Sequence, residues 1–293
     1  MSANALSVDL EEYFQVSNFD GVIERERWDS LPSRVADQTE RLLDLFDACA
    51  CRATFFALGW VAERHPRLLR RIAERGHEIA CHGFGHELVY TLGPERFRDD
   101  VRRARAALAD AVGSPVSGYR APSYSITRDS LWALPILVEE GFAYDSSIFP
   151  VRHPRYGIPG FARRPVRIEL ANGTSIREFP LTTARVGPVW LPVAGGAYLR
   201  FLPGPLHRWA FRRLVRAGEP TVLYLHPWEI DPEQPRQQVG WRVRVNHYHN
   251  LSRTEHRLEA LLREHRFAPL GEVLEGLEAA SGLPRVDLQA MAA

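Results

Sequence analysis

Apolar residues in this chain come as short unbroken runs and as longer stretches with helical spacing, and the two kinds alternate. Ala5–Asp9, Ala53–Leu58 (ATFFAL), His77–Cys81, Ser117–Arg120 and Thr221–His226 (TVLYLH) predict strands. Between them, Ser33–Ala50 predicts a helix, with Ser33 as its cap and Val35, Leu42, Leu43, Leu45 and Phe46 on its apolar stripe. Pro66–Arg75 predicts a second helix, stopped at Gly76, and Pro94–Ala111 a third, with its proline in a permitted first turn. Thr127–Glu140 predicts a fourth that ends at Gly141 and is bent or broken at Pro135.

Beyond Phe149 the rhythm changes. Phe149–Pro165 is rich in Pro, Gly, Arg and aromatics and reads as a long loop. Val166–Leu170 and Thr174–Phe179, joined by Ala171-Asn172-Gly173, predict a β-hairpin. A second loop carries Gly187, Pro188, Gly195 and Gly196. Helices over Pro203–Ala217 and Ser252–Glu264, a short strand over Arg266–Leu270 and a last helix from Gly271 follow, and the tail after Pro284 is expected to fray. Short strands alternating with helices imply βα units and a mostly parallel sheet. No repeat, low-complexity segment or linker interrupts the pattern, so one barrel-like α/β domain with loop and hairpin insertions is expected.

Composition narrows the function. A chain of 293 residues, 45% hydrophobic and 25% charged, buries a large core. With 37 basic and 36 acidic residues the net charge is +1, which argues against a general electrostatic hold on nucleic acid or anionic membrane. The three cysteines, Cys49, Cys51 and Cys81, give no disulfide framework and read as reduced thiols, with Cys81 facing away from the residue that follows it. MSANALSVDL has neither a basic n-region nor a long apolar run, so the expected location is cytoplasmic, at most the inner face of the cytoplasmic membrane, with no membrane-spanning segment.

The chemistry concentrates in two places. His82 and His86 in CHGFGH lie four residues apart after an apolar run, and Asp9, Glu11 and Glu12 form an acidic cluster at the end of another. A divalent metal such as zinc takes two imidazoles and a carboxylate with positions left open. The two histidines aim at one point if the segment turns helically after its strand. Taken alone, such a pair is as readily a surface or helix-capping pair, and acids near a chain start are commonly solvated. Yet Asp9, Glu11, His82, His86, Arg120, Asp145 and His226 all follow predicted strands, where α/β folds gather their ligands. If these strand ends meet, metal-dependent hydrolysis is the expected chemistry.

The motifs VDLEEYFQVSNF, TFFALGWVAERHP, GHEIACHGFGHELVY, GYRAPSYSIT, GFAYDSSIFP, LYLHPWEID and WRVRVNHYHNLSRTEHRLEALL run in this order to about Leu274. In combination they resemble the polysaccharide deacetylases of carbohydrate esterase family 4, and the branch found with exosortase and extracellular-polysaccharide gene clusters. The resemblance implies a distorted (β/α) barrel with fewer than eight complete units. It implies one domain over 1–284 whose C-terminal extension begins near 150, and removal of N-acetyl groups from a glycan. The family's first motif has adjacent aspartates, whereas here Leu10 follows Asp9. Residues i and i+2 of a strand share a face, so the base is carried to Asp9 and the metal carboxylate to Glu11, with Glu12 facing away.

The same resemblance makes His82 and His86 the other ligands of one divalent ion, zinc ahead of cobalt or nickel. It makes Arg120 the tether of Asp9, and His226 the acid that protonates the leaving nitrogen. Asp145, Glu229 and Asp231 are candidates to orient His226, with Asp145 preferred. Tyr13, Phe14, Tyr124, Trp190 and Trp228 are candidate platforms for sugar rings. The NHYHN segment with His247 and His249 reads as a structural or substrate-loop element. An amidohydrolase for a small amide and a non-catalytic glycan-binding module are the competing expectations, and no nucleic-acid partner is expected.

Overall fold

The computed structural model describes residues 4–292, an α/β fold around one nine-stranded sheet. Its strands are β1 (Asn4–Leu10), β2 (Thr54–Ala57), β3 (Glu78–Cys81), β4 (Gly118–Tyr119), β5 (Tyr144–Asp145), β6 (Val166–Glu169), β7 (Ser175–Glu178), β10 (Thr221–Leu225) and β11 (Arg285–Asp287). A separate antiparallel hairpin is formed by β8 (Thr183–Val186) and β9 (Val189–Pro192). The order in the large sheet is β10-β1-β2-β3-β4-β5-β7-β6-β11, and every neighbouring pair is parallel except the β6–β7 hairpin.

Alternation along the central strands divides their side chains between two cores. Leu6, Val8 and Leu10 of β1, Phe55 and Ala57 of β2, Ile79 and Cys81 of β3, and Leu223 and Leu225 of β10 pack in the larger core, with the helices. Ala5, Phe56, Ala80, Val222 and Tyr224 fill the smaller core on the opposite face. Ser7 and Asp9 share that second face by register, so β1 delivers polar groups where its neighbours deliver apolar ones.

The helices are α1 (Val35–Ala48), α2 (Gly59–Arg64), α3 (Pro66–Glu74), α4 (Val89–Val112), α5 (Ala133–Glu139), α6 (Ala197–Phe201), α7 (Gly204–Arg216), α8 (Trp241–Tyr248), α9 (Leu251–Glu264), α10 (Leu270–Ser281) and α11 (Leu288–Ala292). A Cβ on Gly59 would stand 2.5 Å from the Phe84 ring and 2.8 Å from the Ala104 backbone, so glycine lets α2 lie close against α4. The three thiols are free, as expected, and Cys51 and Cys81 are buried. Among the described residues no helix is long and apolar enough to cross a membrane.

Several local expectations are corrected. Ser33 does not cap α1; its hydroxyl donates to Glu12, whose carboxylate also accepts the Arg34 N–H at 3.0 and 3.1 Å. An acid distant in sequence therefore supplies the cap. The predicted helix over Thr127–Glu140 is a 3₁₀ turn at Arg128–Ser130 followed by α5, which starts late enough to put Pro135 in its first turn. α4 begins before Pro94 and is interrupted at Gly93, whose φ is 74°. The loop around Gly187 and Pro188 is the turn of the β8–β9 hairpin. Arg266–Leu270 contributes one bridge, Ala5 to Ala268, and not a strand. The tail after Pro284 is ordered, because β11 pairs with β6 and so finds backbone partners that its sequence does not advertise.

Candidate active site

The carboxyl end of β1 carries the acids. Leu10 turns into the larger core, while Asp9 and Glu11 are buried against a cleft of about 330 Å³ that both line. Arg120, just past β4, is wholly buried and fixes Asp9. Its Nη1 donates to Asp9 Oδ1 at 2.7 Å and to Ser7 Oγ at 2.8 Å, and its Nε and Nη2 donate to the carbonyl and hydroxyl of Ser146 at 3.1 and 3.0 Å. Burial pulls the Arg120 pKa down, but Asp9 more than offsets this and the guanidinium stays charged. Tyr124 OH lies 3.4 Å from the second Asp9 oxygen.

His82 leaves β3 and donates its Nδ1–H to the Arg120 carbonyl at 2.8 Å, which leaves Nε2 with the free lone pair. Burial lowers its pKa to about 4, so the imidazole is neutral. His86 comes from the same loop, where φ is 76° at Gly83 and 54° at His86. The pair therefore converges through a loop with left-handed residues, and not through the helical turn expected. His86 Nε2 lies 2.9 Å from Glu11 Oε2. The ligand atoms of Glu11, His82 and His86 all fall within 4.8 Å of one another, and all three side chains are buried. Burial pushes the Glu11 pKa up, but His86, His226 and His82 outweigh it and hold it at about 2.

The opposite wall is built from β10 and the segment after it. His226 follows β10 with Nε2 3.6 Å from Glu11 Oε1 and 3.9 Å from Asp9 Oδ2. Its Nδ1–H donates to Glu229 Oε2 at 2.9 Å. Arg200, on α6 and also buried, donates Nε–H to the other Glu229 oxygen at 2.7 Å. Its Nη1 reaches the carbonyls of Asn246, His247 and His249 at 3.0, 3.0 and 3.2 Å. Burial lowers the His226 pKa, but Glu11, Glu229 and Asp9 together raise it to about 9. Trp228 spans the two walls: its Nε1–H donates to Glu11 Oε1 at 3.2 Å, and its ring stacks on His226 and His247.

Comparison with known proteins now adds to this geometry. Residues 27–136, from ahead of α1 into α5, match the family model for polysaccharide deacetylases. Over these residues the chain is similar to the polysaccharide deacetylases. Residues 146–275 match a second model, described as a domain of unknown function, DUF3473. The chain is similar to a peptidoglycan deacetylase of Helicobacter pylori, 30% identical over 111 residues, which are 37% of this chain and 36% of that protein. It is similar to the peptidoglycan deacetylase-like protein FGM2 of Gibberella zeae, 33% identical over 110 residues, 37% of this chain and 32% of that one. These matches span about a third of either relative. Among solved structures, one from Mycobacterium smegmatis assigned to the polysaccharide deacetylases shares the fold with a TM-score of 0.65 at 21% identity, covering 97% of this chain and 92% of that one. Asp9 and Glu11 precede the deacetylase match and His226 falls in the DUF3473 match, so the cleft draws on parts of the chain beyond the matched deacetylase residues.

The cleft gathers Asp9, Glu11, His82, His86, Tyr124, His226 and Trp228, with Arg120 buried behind Asp9. Glu12 turns away, as expected, to the N-terminus of α1. Asp145 does not partner His226. Ser147 Oγ donates to Asp145 Oδ1 at 2.5 Å and accepts the Ala121 N–H at 2.8 Å, so Asp145 supports the backbone beside Arg120. Burial raises the Asp145 pKa, and burial together with Asp145 raises that of Glu178, its neighbour. Asp231 is held by Arg34 at 2.7 and 2.8 Å and ties the 3₁₀ turn after His226 to α1.

Two expected sugar platforms, Tyr13 and Phe14, are packed inside, Phe14 against Trp28 and Trp60, because the chain turns inward after Glu12. Trp190 stands outside the cleft on β9, its ring 4.0 Å below the Arg163 guanidinium. His247 Nε2–H donates to Gln234 Oε1 at 2.7 Å, and burial lowers its pKa to about 3, consistent with a structural part for NHYHN. Arg200 is the residue that reading the sequence missed. Its neighbours GGAYLRF carry no local signal, since its partners lie up to 49 residues away.

Proposed function

We propose that this protein is a hydrolase that removes N-acetyl groups from a glycan, with one divalent ion held by Glu11, His82 and His86. The observation that carries this reading is the buried convergence of those three ligand atoms within 4.8 Å, beside an acid held by arginine and a histidine held by glutamate. The donor set fits the ion. The imidazole of His82 is neutral with a fixed tautomer, and the buried Glu11 Oε2 has as its near neighbour His86 Nε2, 2.9 Å away, another atom of the same ligand set. Zinc suits two imidazoles and a carboxylate, and cobalt or nickel accept the same set. When bound, it supplies a Lewis acid at the floor of the cleft.

Asp9 is the base in this reading. Arg120 keeps its carboxylate oriented, and Oδ2 is left toward the cleft, where it can take a proton from water. His226 is the acid: Glu229 fixes the donor at Nδ1, which presents Nε2 to the leaving nitrogen from the wall facing Asp9. Glu229 in turn is held by Arg200, so Arg200 acts as a positioning residue. In the turn after Pro122 the Tyr124 and Ser125 N–H groups already bond the Ala121 and Pro122 carbonyls. Ser123 lines the cleft, and its N–H is our candidate oxyanion donor. Tyr124 and Trp228 are placed to shape the sugar site. The strand order, left open between β10 and β11, supports a distorted barrel with fewer than eight complete units.

Fold likeness does not separate a glycan deacetylase from a small-amide hydrolase, because an allantoinase shares this fold with a TM-score of 0.60 at 17% identity. The deciding experiment measures acetate release from chito-oligosaccharide by metal-free protein and after loading with one equivalent of zinc, cobalt or nickel. Release that depends on the loaded ion is expected. Absence of release with all three ions, from protein that binds them, would remove the reading.

A further inference from the structure

The cleft does not end at its own rim. Its lining includes His153 and Tyr198, and both also line a neighbouring cavity of about 290 Å³. That cavity shares Arg163 and Trp190 with a third, of about 300 Å³, between the β8–β9 hairpin and α7. The three adjoin one another through these shared lining residues, and only the first is lined by Asp9 and His226; we call the series a track. A single pocket of this size suits a small molecule; three in line suit a chain.

The track is cationic, although the whole chain carries only +1. Elsewhere about twenty arginines pair with carboxylates, as in Arg41–Glu255, Arg52–Glu272, Arg71–Glu40 and Arg102–Glu140, while others such as Arg27, Arg67 and Arg216 stand singly among the described residues. What sets the track apart is four such arginines lining adjoining cavities. Along the track Arg152, Arg163, Arg185 and Arg213 form no ion pair among the described residues; Glu219 is the one acid lining the second and third cavities, and it pairs with Arg164. Two large aromatic rings accompany them: Trp190 is 41% and Trp209 47% exposed. At the far end the Thr183 side chain lines the third cavity while only 4% exposed, and its hydroxyl has no hydrogen-bond partner. A buried, unpartnered hydroxyl costs stability unless a ligand satisfies it.

We propose that this track binds an extended anionic glycan, with acidic sugars paired to Arg163, Arg185 and Arg213 and sugar rings laid against Trp190 and Trp209. The proposal rests on the deacetylase reading of the cleft and deepens it: the substrate is a polymer that alternates or mixes N-acetylated with carboxylated sugars. A lipid surface fits less well, because the arginines and tryptophans line concave cavities, one of which Thr183 also lines. Those features match ligand hydroxyls and carboxylates.

The test titrates the full chain with two hexasaccharides, one alternating N-acetylglucosamine with glucuronate and one of N-acetylglucosamine alone. The acidic chain should bind about tenfold more tightly at low salt, the scale of a few exposed charge pairs, and lose that margin as salt rises. The Arg163→Ala, Arg213→Ala double variant should bind the two chains equally, with its melting temperature as the check on folding. Trp209→Ala, at an exposed position, should weaken both. Equal binding by the unaltered protein, or an acidic preference that survives the double variant, would overturn the proposal. So would capture by phosphatidylglycerol vesicles, lost in the double variant, without any hold on the acidic hexasaccharide. Binding needs no turnover, so acetate release from the same preparation tests the deacetylase reading separately.

Discussion

On one wall of the cleft, Asp9 and Glu11 sit at the end of β1 and His82 at the end of β3, and the pairing of β1 with β2 and β2 with β3 fixes their separation. On the other wall, His226 also leaves a strand, but its orientation depends on Glu229, then on Arg200, then on three carbonyls from 246 to 249. The first wall is placed by backbone hydrogen bonds that side-chain changes leave standing, with Arg120 as the one buried side chain that fixes Asp9. The second is a relay of buried side chains, where one loss leaves the next partner uncompensated. Damage to the first wall should therefore act on chemistry with the fold intact, and damage to the second should act on chemistry and stability together.

The largest effect is expected from the ligands. His82→Ala with His86→Ala, or Glu11→Ala alone, should abolish stoichiometric metal and turnover with little change in melting temperature. Elemental analysis of the purified variants checks this, and metal retained at one per chain in the double variant would break the assignment. Next in size, Asp9→Asn should keep the metal and lose turnover by roughly 10²–10⁴, the scale of a positioned base.

The second wall gives a different signature. His226→Ala should cut turnover on an N-acetyl glycan far more than on an aryl acetate, whose leaving group departs without full protonation. Equal losses on both would move His226 from acid to scaffold. Arg200→Lys should lower turnover on the amide by about 10- to 100-fold, the range for partners that orient a functional group, with a smaller loss on the ester. Arg200→Met should also lower the melting temperature, since it leaves the buried Glu229 without its cation. If Arg200→Met melts normally, the two walls do not differ as argued.

The smallest expected effect is a check on folding away from both walls. Burial holds the pKa of His77 and of His207 at about 4, below the 6.5 of an unfolded chain. Both are neutral when folded, so stability should be full above pH 6.5 and fall as pH drops toward 4, because the unfolded chain takes up the protons. The loss is on the order of 3 kcal/mol for each at the acid end. Asp100, raised by burial to about 6, works in the other direction over the same range and offsets a loss of about the size of one histidine's. His77→Asn, which keeps an acceptor for the Ala53 N–H, should flatten part of this loss in melting curves taken across the range.

The alternation of strand and helix was enough to predict the mostly parallel sheet, because local periodicity reports which faces are buried. Asp9, Glu11, His82 and His226 were legible for the same reason: each terminates an apolar run, and strand ends on one side of a parallel sheet converge. The split over Asp9-Leu10-Glu11 followed from the period of two along a strand. What the sequence could not decide were contacts between segments far apart. Asp145 and Glu229 both follow strands and both are acids, and only the packed structure aims Glu229 at His226 and Asp145 at Ser147. Arg200 has no local pattern, because its partners come from residues 229 and 246–249. The order of the tail depends on β6 offering a free edge to β11, and the row of unpaired arginines emerges only when the hairpin, α7 and the loop after Phe149 meet. Periodicity is a property of neighbours in sequence, and so it determines elements and faces. Partnership among buried charges is a property of three-dimensional proximity, and the tertiary structure alone decides it.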